Sequence, residues 1–212
     1  MKPERHQRIC GDIVATTTEK TYTKRLVTLQ QKSWKTMLDV QRPYRWNLRR
    51  LGPGKTLDIG CGIGRCLVAL PAGSVGIDHN PHSIDIINST GLIGFLPNDF
   101  RNSSYYILGG YDTLLLCHVL EHMSLDEGTH LIKEYAPLLK LGGLAILICP
   151  QEKGFTTDDS HVTFLNDEAL RLMLTTAGYA VEKSYSFPLP RVFGRIFTYN
   201  EFVAVGRKTL PS

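Results

Sequence analysis

Short apolar runs alternate with amphipathic stretches along most of this chain. T-L-D-I at residues 56–59 and S-V-G-I-D at 74–78 read as short strands, with a third around residues 92–96. T-L-L-L-C, beginning at Thr113, and L-A-I-L-I-C-P, residues 144–150, are continuously apolar. Such runs predict central strands; the first has the character of a parallel strand buried on both faces. Residues 181–189 and 201–208 read as two final strands. Helix is expected from Gly64 through Arg65, Leu67 and Val68, and again from Ser83 to a stop at Gly91. A third helix opens with the capping pair Ser124 and Glu127 and continues to Leu141 before Gly142-Gly143. Asn166 caps a last one, with Ala169, Leu170, Met173 and Leu174 on its apolar side and Gly178 as its stop. Upstream, residues 18–40 favour helix through Leu26, Leu29, Trp34, Met37 and Leu38, after a loosely ordered arm over residues 1–15.

A chain of 212 residues suits one α/β domain, or one domain with a helical extension. Its net charge of +4 is uneven: residues 1–50 hold twelve Lys or Arg against four acids (+8), and the remainder twelve against sixteen (−4). A basic segment raises nucleic acid as a partner. Because the charges are spread through a helix-compatible stretch, a solvated helix face is the expected reading. Cys10, Cys61, Cys66, Cys117 and Cys149 show no C-x-x-C spacing, which predicts neither disulfides nor a thiolate metal site and suits a reducing compartment. The start M-K-P-E-R-H-Q-R is too polar for a signal peptide, and no apolar run is long enough to span a bilayer, so a cytoplasmic location is expected.

Candidate chemistry concentrates after the first strand. Gly60, Gly62 and Gly64 form G-x-G-x-G two residues beyond Asp58, and Asp78 ends the second strand. Glycines allow positive φ and let backbone N–H groups approach a ligand, while an acid after the second strand suits the hydroxyls of a ribose. A P-loop would need Lys then Ser or Thr where Arg65-Cys66 stands, and a dinucleotide loop needs G-x-G-x-x-G. A tight turn in an unrelated α/β protein is the bland alternative. The pattern resembles motif I of the class I S-adenosylmethionine-dependent methyltransferases, and C-H-V-L-E-H at residues 117–122 resembles the fourth-strand motif of their small-molecule type 11 and type 12 groups.

That resemblance implies a Rossmann-like, doubly wound, seven-stranded, mostly parallel sheet closed by an antiparallel hairpin. It implies a methyltransferase domain over residues 51–212, with residues 1–50 as a helical lid or arm. S-adenosylmethionine is the implied cofactor. Its contacts would come from Asp58, Gly60, Cys61, Gly62, Gly64 and Cys117, with Asp78 on the ribose, His79 near the base, and Asp99 with Phe100 on the adenine. Arg45 is a candidate for the cofactor carboxylate. The implied activity is methyl transfer to oxygen or nitrogen of a small organic acceptor, with His118 and His161 orienting that acceptor or taking its proton. A nucleic-acid methyltransferase and a noncatalytic cofactor-binding partner protein are the alternatives. The L-E-H run partly resembles the E-x-x-E-H of metal-dependent small-RNA 2′-O-methyltransferases. The chemistry of His118, Glu121, His122 and the later His161 permits a metal site, but His118 stands where those enzymes have glutamate and metal-free relatives share L-E-H, so a divalent ion is left open and none is predicted.

Overall fold

The computed structural model describes residues 41–209. The expected arm and the helix over residues 18–40 lie outside that range. Helix α1 (Arg42–Arg50) begins the described chain, with Pro43 in its first turn and Arg49 and Arg50 in its last. Strand β1 (Thr56–Ile59) is buried along its whole length. It pairs in parallel with β2 (Val75–Ile77) on one side. Helix α2 (Pro81–Ser89) starts at Asn80, whose side chain accepts from His82 N, and β3 (Gly94–Phe95) then pairs with β2. The five-residue α3 (Pro97–Arg101) leads to β4 (Tyr111–Cys117), the other neighbour of β1. Helix α4 (Leu125–Tyr135) carries the anticipated capping box and precedes β5 (Leu139–Pro150). A single turn, α5 (Glu152–Phe155), and α6 (Asp167–Thr176) come before β6 (Tyr179–Phe187) and β7 (Glu201–Lys208).

The seven strands lie in the order β3-β2-β1-β4-β5-β7-β6, with only β7 running against its neighbours. The expected doubly wound sheet with a closing antiparallel hairpin is thus the observed one. Leu114, Leu115 and Leu116 of β4 and Ile146 and Leu147 of β5 are fully buried because both faces of the sheet are covered. One face packs with Ile132, Leu170, Met173 and Leu174, the other with Leu48 and Leu51 near α1. Among the described residues no helix is long and apolar enough to cross a membrane.

Two helices are shorter than their periodicity suggests. After Gly64 the chain makes only a 3₁₀ turn, Leu67–Ala69, because Leu70 precedes Pro71 and is held extended at ψ 155°. The helix expected to reach Leu141 stops at Tyr135. Pro137 lacks the N–H that would continue it, the chain tightens to 3₁₀ over Ala136–Leu138, and Leu139 already belongs to β5.

The turn after β1 is tied down by backbone hydrogen bonds from Gly60 N and Cys61 N to Ile77 O, at 2.8 and 3.0 Å. Gly60 has φ +70°, and a Cβ added there would lie 2.3 Å from Val119 Cγ2. Gly60→Ala is therefore expected to cost about 2–4 kcal/mol, combining left-handed backbone strain with overpacking. Urea denaturation tests this; a loss below about 1 kcal/mol would mean that Val119 and the turn move aside readily.

Candidate active site

Strand order reverses between β1 and β4, and their carboxyl ends open into a cleft of about 350 Å³. The glycine turn forms one wall through Gly60, Cys61 and Gly62, with Asp58 beneath it. Cys117, His118, His122 and His161 continue the lining, and Tyr44 and Arg45 from α1 and Glu201 from β7 complete it.

Asp58 is 2% exposed, and its Oδ2 has no hydrogen-bond partner. Burial, reinforced by the charge of Asp78, pushes its pKa up to about 8. A buried acid with an orphaned oxygen beside a glycine turn suits a cationic amine, since pairing would offset its desolvation. Burial and the same two acids hold the Cys61 thiol well above its ordinary value. Asp78 is itself occupied: its Oδ2 accepts from Gly62 N at 2.8 Å and its Oδ1 from Asn80 N at 2.9 Å. The acid after the second strand therefore braces the glycine turn in this structure, and its neighbour His79 is exposed.

Gly64, Asp78, His79, Asp99 and Phe100 stand outside the lining of this cleft. Asp99 is exposed in the first turn of α3. Phe100 corrects the sequence reading. It is wholly buried, with its ring centroid 6.2 Å from that of Phe95, 5.5 Å from Tyr106 and 6.5 Å from Tyr135. The short α3 turns this side chain into the aromatic core, so it presents no face for stacking on a base. Arg45 and Cys117 do line the cleft. Contact with Cys66, then burial, holds the Cys117 thiol well above its usual range.

His118 is the only non-glycine residue at positive φ (58°) among the described residues. Its side chain is 43% exposed, and its Nε2 lies 2.8 Å from Glu201 Oε1. Its Nδ1 lies 3.3 Å from Glu121 Oε1. Burial by itself lowers the imidazole pKa, but the two carboxylates outweigh it and hold the group well above its ordinary value. Glu121 shows the reciprocal effect, burial raising its pKa and His118 pulling it below the usual carboxylate range. The two carboxylates thus favour the protonated imidazolium of His118, a form suited to donating to an acceptor oxygen or stabilising its anion. It must lose that proton before it can act as a base.

Glu201 is a site residue that sequence reasoning did not assign. Glu201 is the first residue of β7 and pairs across the sheet with Pro150, the last of β5. Only the antiparallel insertion of β7 beside β5 carries its amino end to the cleft. Gln151 stabilises that corner by donating to Glu201 O at 3.0 Å, while Asn200 Nδ2 donates to Gln151 Oε1 at 2.9 Å. Tyr44 Oη donates to Tyr199 O at 2.7 Å, tying α1 to the same segment. Burial, then the Glu201 charge, raises the Tyr44 phenol beyond its ordinary range. A buried acid opening a strand was the available sequence signal, but it had no address without the strand order.

Residues 57–147 match a family model described as a methyltransferase domain. No curated protein matches the sequence. Magnesium protoporphyrin IX methyltransferase from Synechocystis PCC 6803, solved with bound S-adenosylhomocysteine, is similar over 94% of this chain and 100% of its own, with 17% identity and TM-score 0.67. A Thermotoga maritima S-adenosylmethionine-dependent methyltransferase, described as a possible histamine N-methyltransferase, has 17% identity and TM-score 0.64 over 88% of this chain and 98% of its own. An S-adenosylmethionine-dependent methyltransferase from Archaeoglobus fulgidus has 17% identity and TM-score 0.62, covering 82% and 99%.

Proposed function

With a class I S-adenosylmethionine-dependent methyltransferase domain as the premise, we propose that this chain methylates oxygen or nitrogen of a small organic acceptor. One observation carries the reading. A single cleft joins the orphaned Asp58 carboxylate and the glycine turn to the His118–Glu201 pair, so groups suited to a donor and groups suited to an acceptor face one space.

When bound, the cofactor supplies an electrophilic methyl group, and the chain's task is alignment and exclusion of water. Asp58 would hold the cofactor's amine, and Gly60 and Gly62 would bring backbone close to it, with Arg45 toward its carboxylate. Asp78 would turn from Gly62 N to the ribose hydroxyls, with His79 and Asp99 toward the base. Cys61 and Cys117 would shape the surrounding wall, while Gly64, outside the lining, braces the turn by donating its N–H to Cys61 O. At the acceptor end, His118 donates to the nucleophilic atom's substituent or stabilises its anion, while the Glu201 carboxylate holds the imidazolium in place. His161 also lines this end, but its side chain is only 10% exposed. Residues 1–50 are assigned as a covering segment over a catalytic domain of residues 51–212, in keeping with Tyr44 and Arg45 lining the cleft.

Calorimetry with S-adenosylmethionine and S-adenosylhomocysteine, followed by labelled-methyl transfer to pooled metabolites and to RNA, tests this reading. Saturable binding with label entering a small molecule is the expected result. Label entering RNA, with strongly salt-dependent binding, would replace it with a nucleic-acid methyltransferase. Cofactor binding without transfer to either pool would replace it with a noncatalytic binding protein.

A further inference from the structure

Behind His118, three side chains converge whose hydrogen bonding leaves a gap that a cation would fill. His122 Nδ1 lies 3.1 Å from the Ser160 carbonyl, and His161 Nδ1 lies 2.8 Å from the Phe155 carbonyl. A carbonyl only accepts, so each Nδ1 donates its proton there and Nε2 is the atom left to ligate. The two rings stand 4.9 Å apart, close to edge-on. His161 Nε2 lies 3.9 Å from Glu121 Oε1, too far for a hydrogen bond between them.

Glu121 makes the gap sharper. It is wholly buried, and neither of its oxygens has a hydrogen-bond partner. Its nearest positive group, His118 Nδ1 at 3.3 Å, also leans on Glu201 through its other nitrogen. A carboxylate so placed is costly unless a cation compensates it. Backbone turns set the arrangement. Glu121 O accepts from Val162 N and Thr163 N, at 2.7 and 3.1 Å, and so draws the loop carrying His161 against the end of β4.

We propose that Glu121, His122 and His161 bind a divalent transition-metal ion of the zinc, cobalt or manganese class. One ligating atom from each of the three lies within 4.8 Å of the others. Ligands about 2.0–2.2 Å from such an ion sit roughly 3–3.5 Å apart, so the tripod closes by about 1 Å around it. Two imidazoles and one carboxylate suit this class better than magnesium or calcium, which favour all-oxygen shells. Each imidazole is already fixed through its other nitrogen by a backbone carbonyl, the outer support that metal-binding histidines typically have. With three protein ligands, positions remain open toward the cleft that His122 and His161 line. The sequence placed these residues among possible metal ligands without predicting a metal; the fold is what brings His161 to Glu121 and His122.

The full-length protein, stripped of metal by chelator and free of cofactor, would be titrated with cobalt(II) chloride and followed by absorption and calorimetry. One equivalent is expected to bind with visible d–d bands and no near-ultraviolet thiolate band. His122→Ala and His161→Ala should each weaken binding about tenfold to hundredfold, whereas His130→Ala, an exposed position on α4, should not change it. Circular dichroism checks the fold of each variant. X-ray absorption of the zinc-loaded wild type needs no variant and should show nitrogen and oxygen at about 2.0–2.1 Å with imidazole outer-shell scattering. Absence of saturable binding overturns the proposal. So does sulfur ligation, which would move the ion to Cys66 and Cys117, or an affinity indifferent to His122 and His161. None of these readouts needs methyl transfer, so the site and the proposed activity stand or fall separately.

Discussion

Asp58→Asn is expected to weaken S-adenosylmethionine binding by about a hundredfold or more while stabilising the ligand-free protein at neutral pH. The first effect follows from removing the one buried carboxylate placed for the cofactor's amine; breaking such a pair costs on the order of 3–5 kcal/mol. The second follows from its titration. The folded value of about 8 lies above the ordinary carboxylate value of 3.8, so the folded protein holds a proton that the unfolded chain releases. Stability is complete below about pH 4, falls as pH rises between the two values, and is lowest above about pH 8. The asparagine variant does not titrate, so its stability advantage, read by thermal or urea denaturation, should grow across that window to at most a few kcal/mol.

The same proton makes a separate test. At pH 7 the ligand-free acid is largely protonated, and pairing with an amine should expel about one proton. Calorimetry in buffers of different ionisation enthalpy would register that release in the wild type and its loss in Asp58→Asn. Wild-type binding heats independent of the buffer would remove the charge pairing from the account.

At the other end of the cleft, His118→Asn is expected to lower kcat about a hundredfold or more without changing cofactor affinity. Asparagine is chosen because it tolerates the positive φ of 58° that His118 adopts, so the backbone is kept while the cation is lost. Once the labelled-methyl screen identifies an acceptor, initial rates and cofactor titration separate the two quantities. A parallel loss of cofactor binding would assign His118 to holding the cleft together. The pH dependence gives a further sign. The Glu121 and Glu201 carboxylates raise the folded pKa of His118 above its ordinary 6.5, despite burial. The stability it contributes is present in full below that ordinary value and is lost as pH rises through the folded one. Wild type should therefore lose stability on the alkaline side more steeply than His118→Asn.

Much of this molecule was legible from local pattern. All seven strands overlap the runs that predicted them, and the central ones were clearest because a strand buried on both faces leaves an uninterrupted signature, as in Leu114–Leu116. The capping box at Ser124 and Glu127 and the cap at Asn166 are contacts between near neighbours, which spacing alone reveals. Helix lengths were less legible, since the chain's prolines end helices through the missing N–H and the geometry of the preceding residue. Phe100 shows a deeper limit: an aromatic after the third strand suits a base or a core equally, and only the direction α3 turns it decided for the core.

By itself, then, the sequence determined the glycine turn, the acid beneath it and the parallel strands that carry both, because each arises from residues close in the chain. Tertiary structure alone decided which charges meet. Glu201 reaches His118 across 83 positions because β7 enters the sheet antiparallel, with its first residue beside the last of β5. His161 comes to Glu121 because backbone hydrogen bonds fold its loop over the end of β4. The physical reason is common to both. A buried carboxylate acquires its role from whatever cation the strand order brings within a few ångströms, and no sequence spacing records that distance.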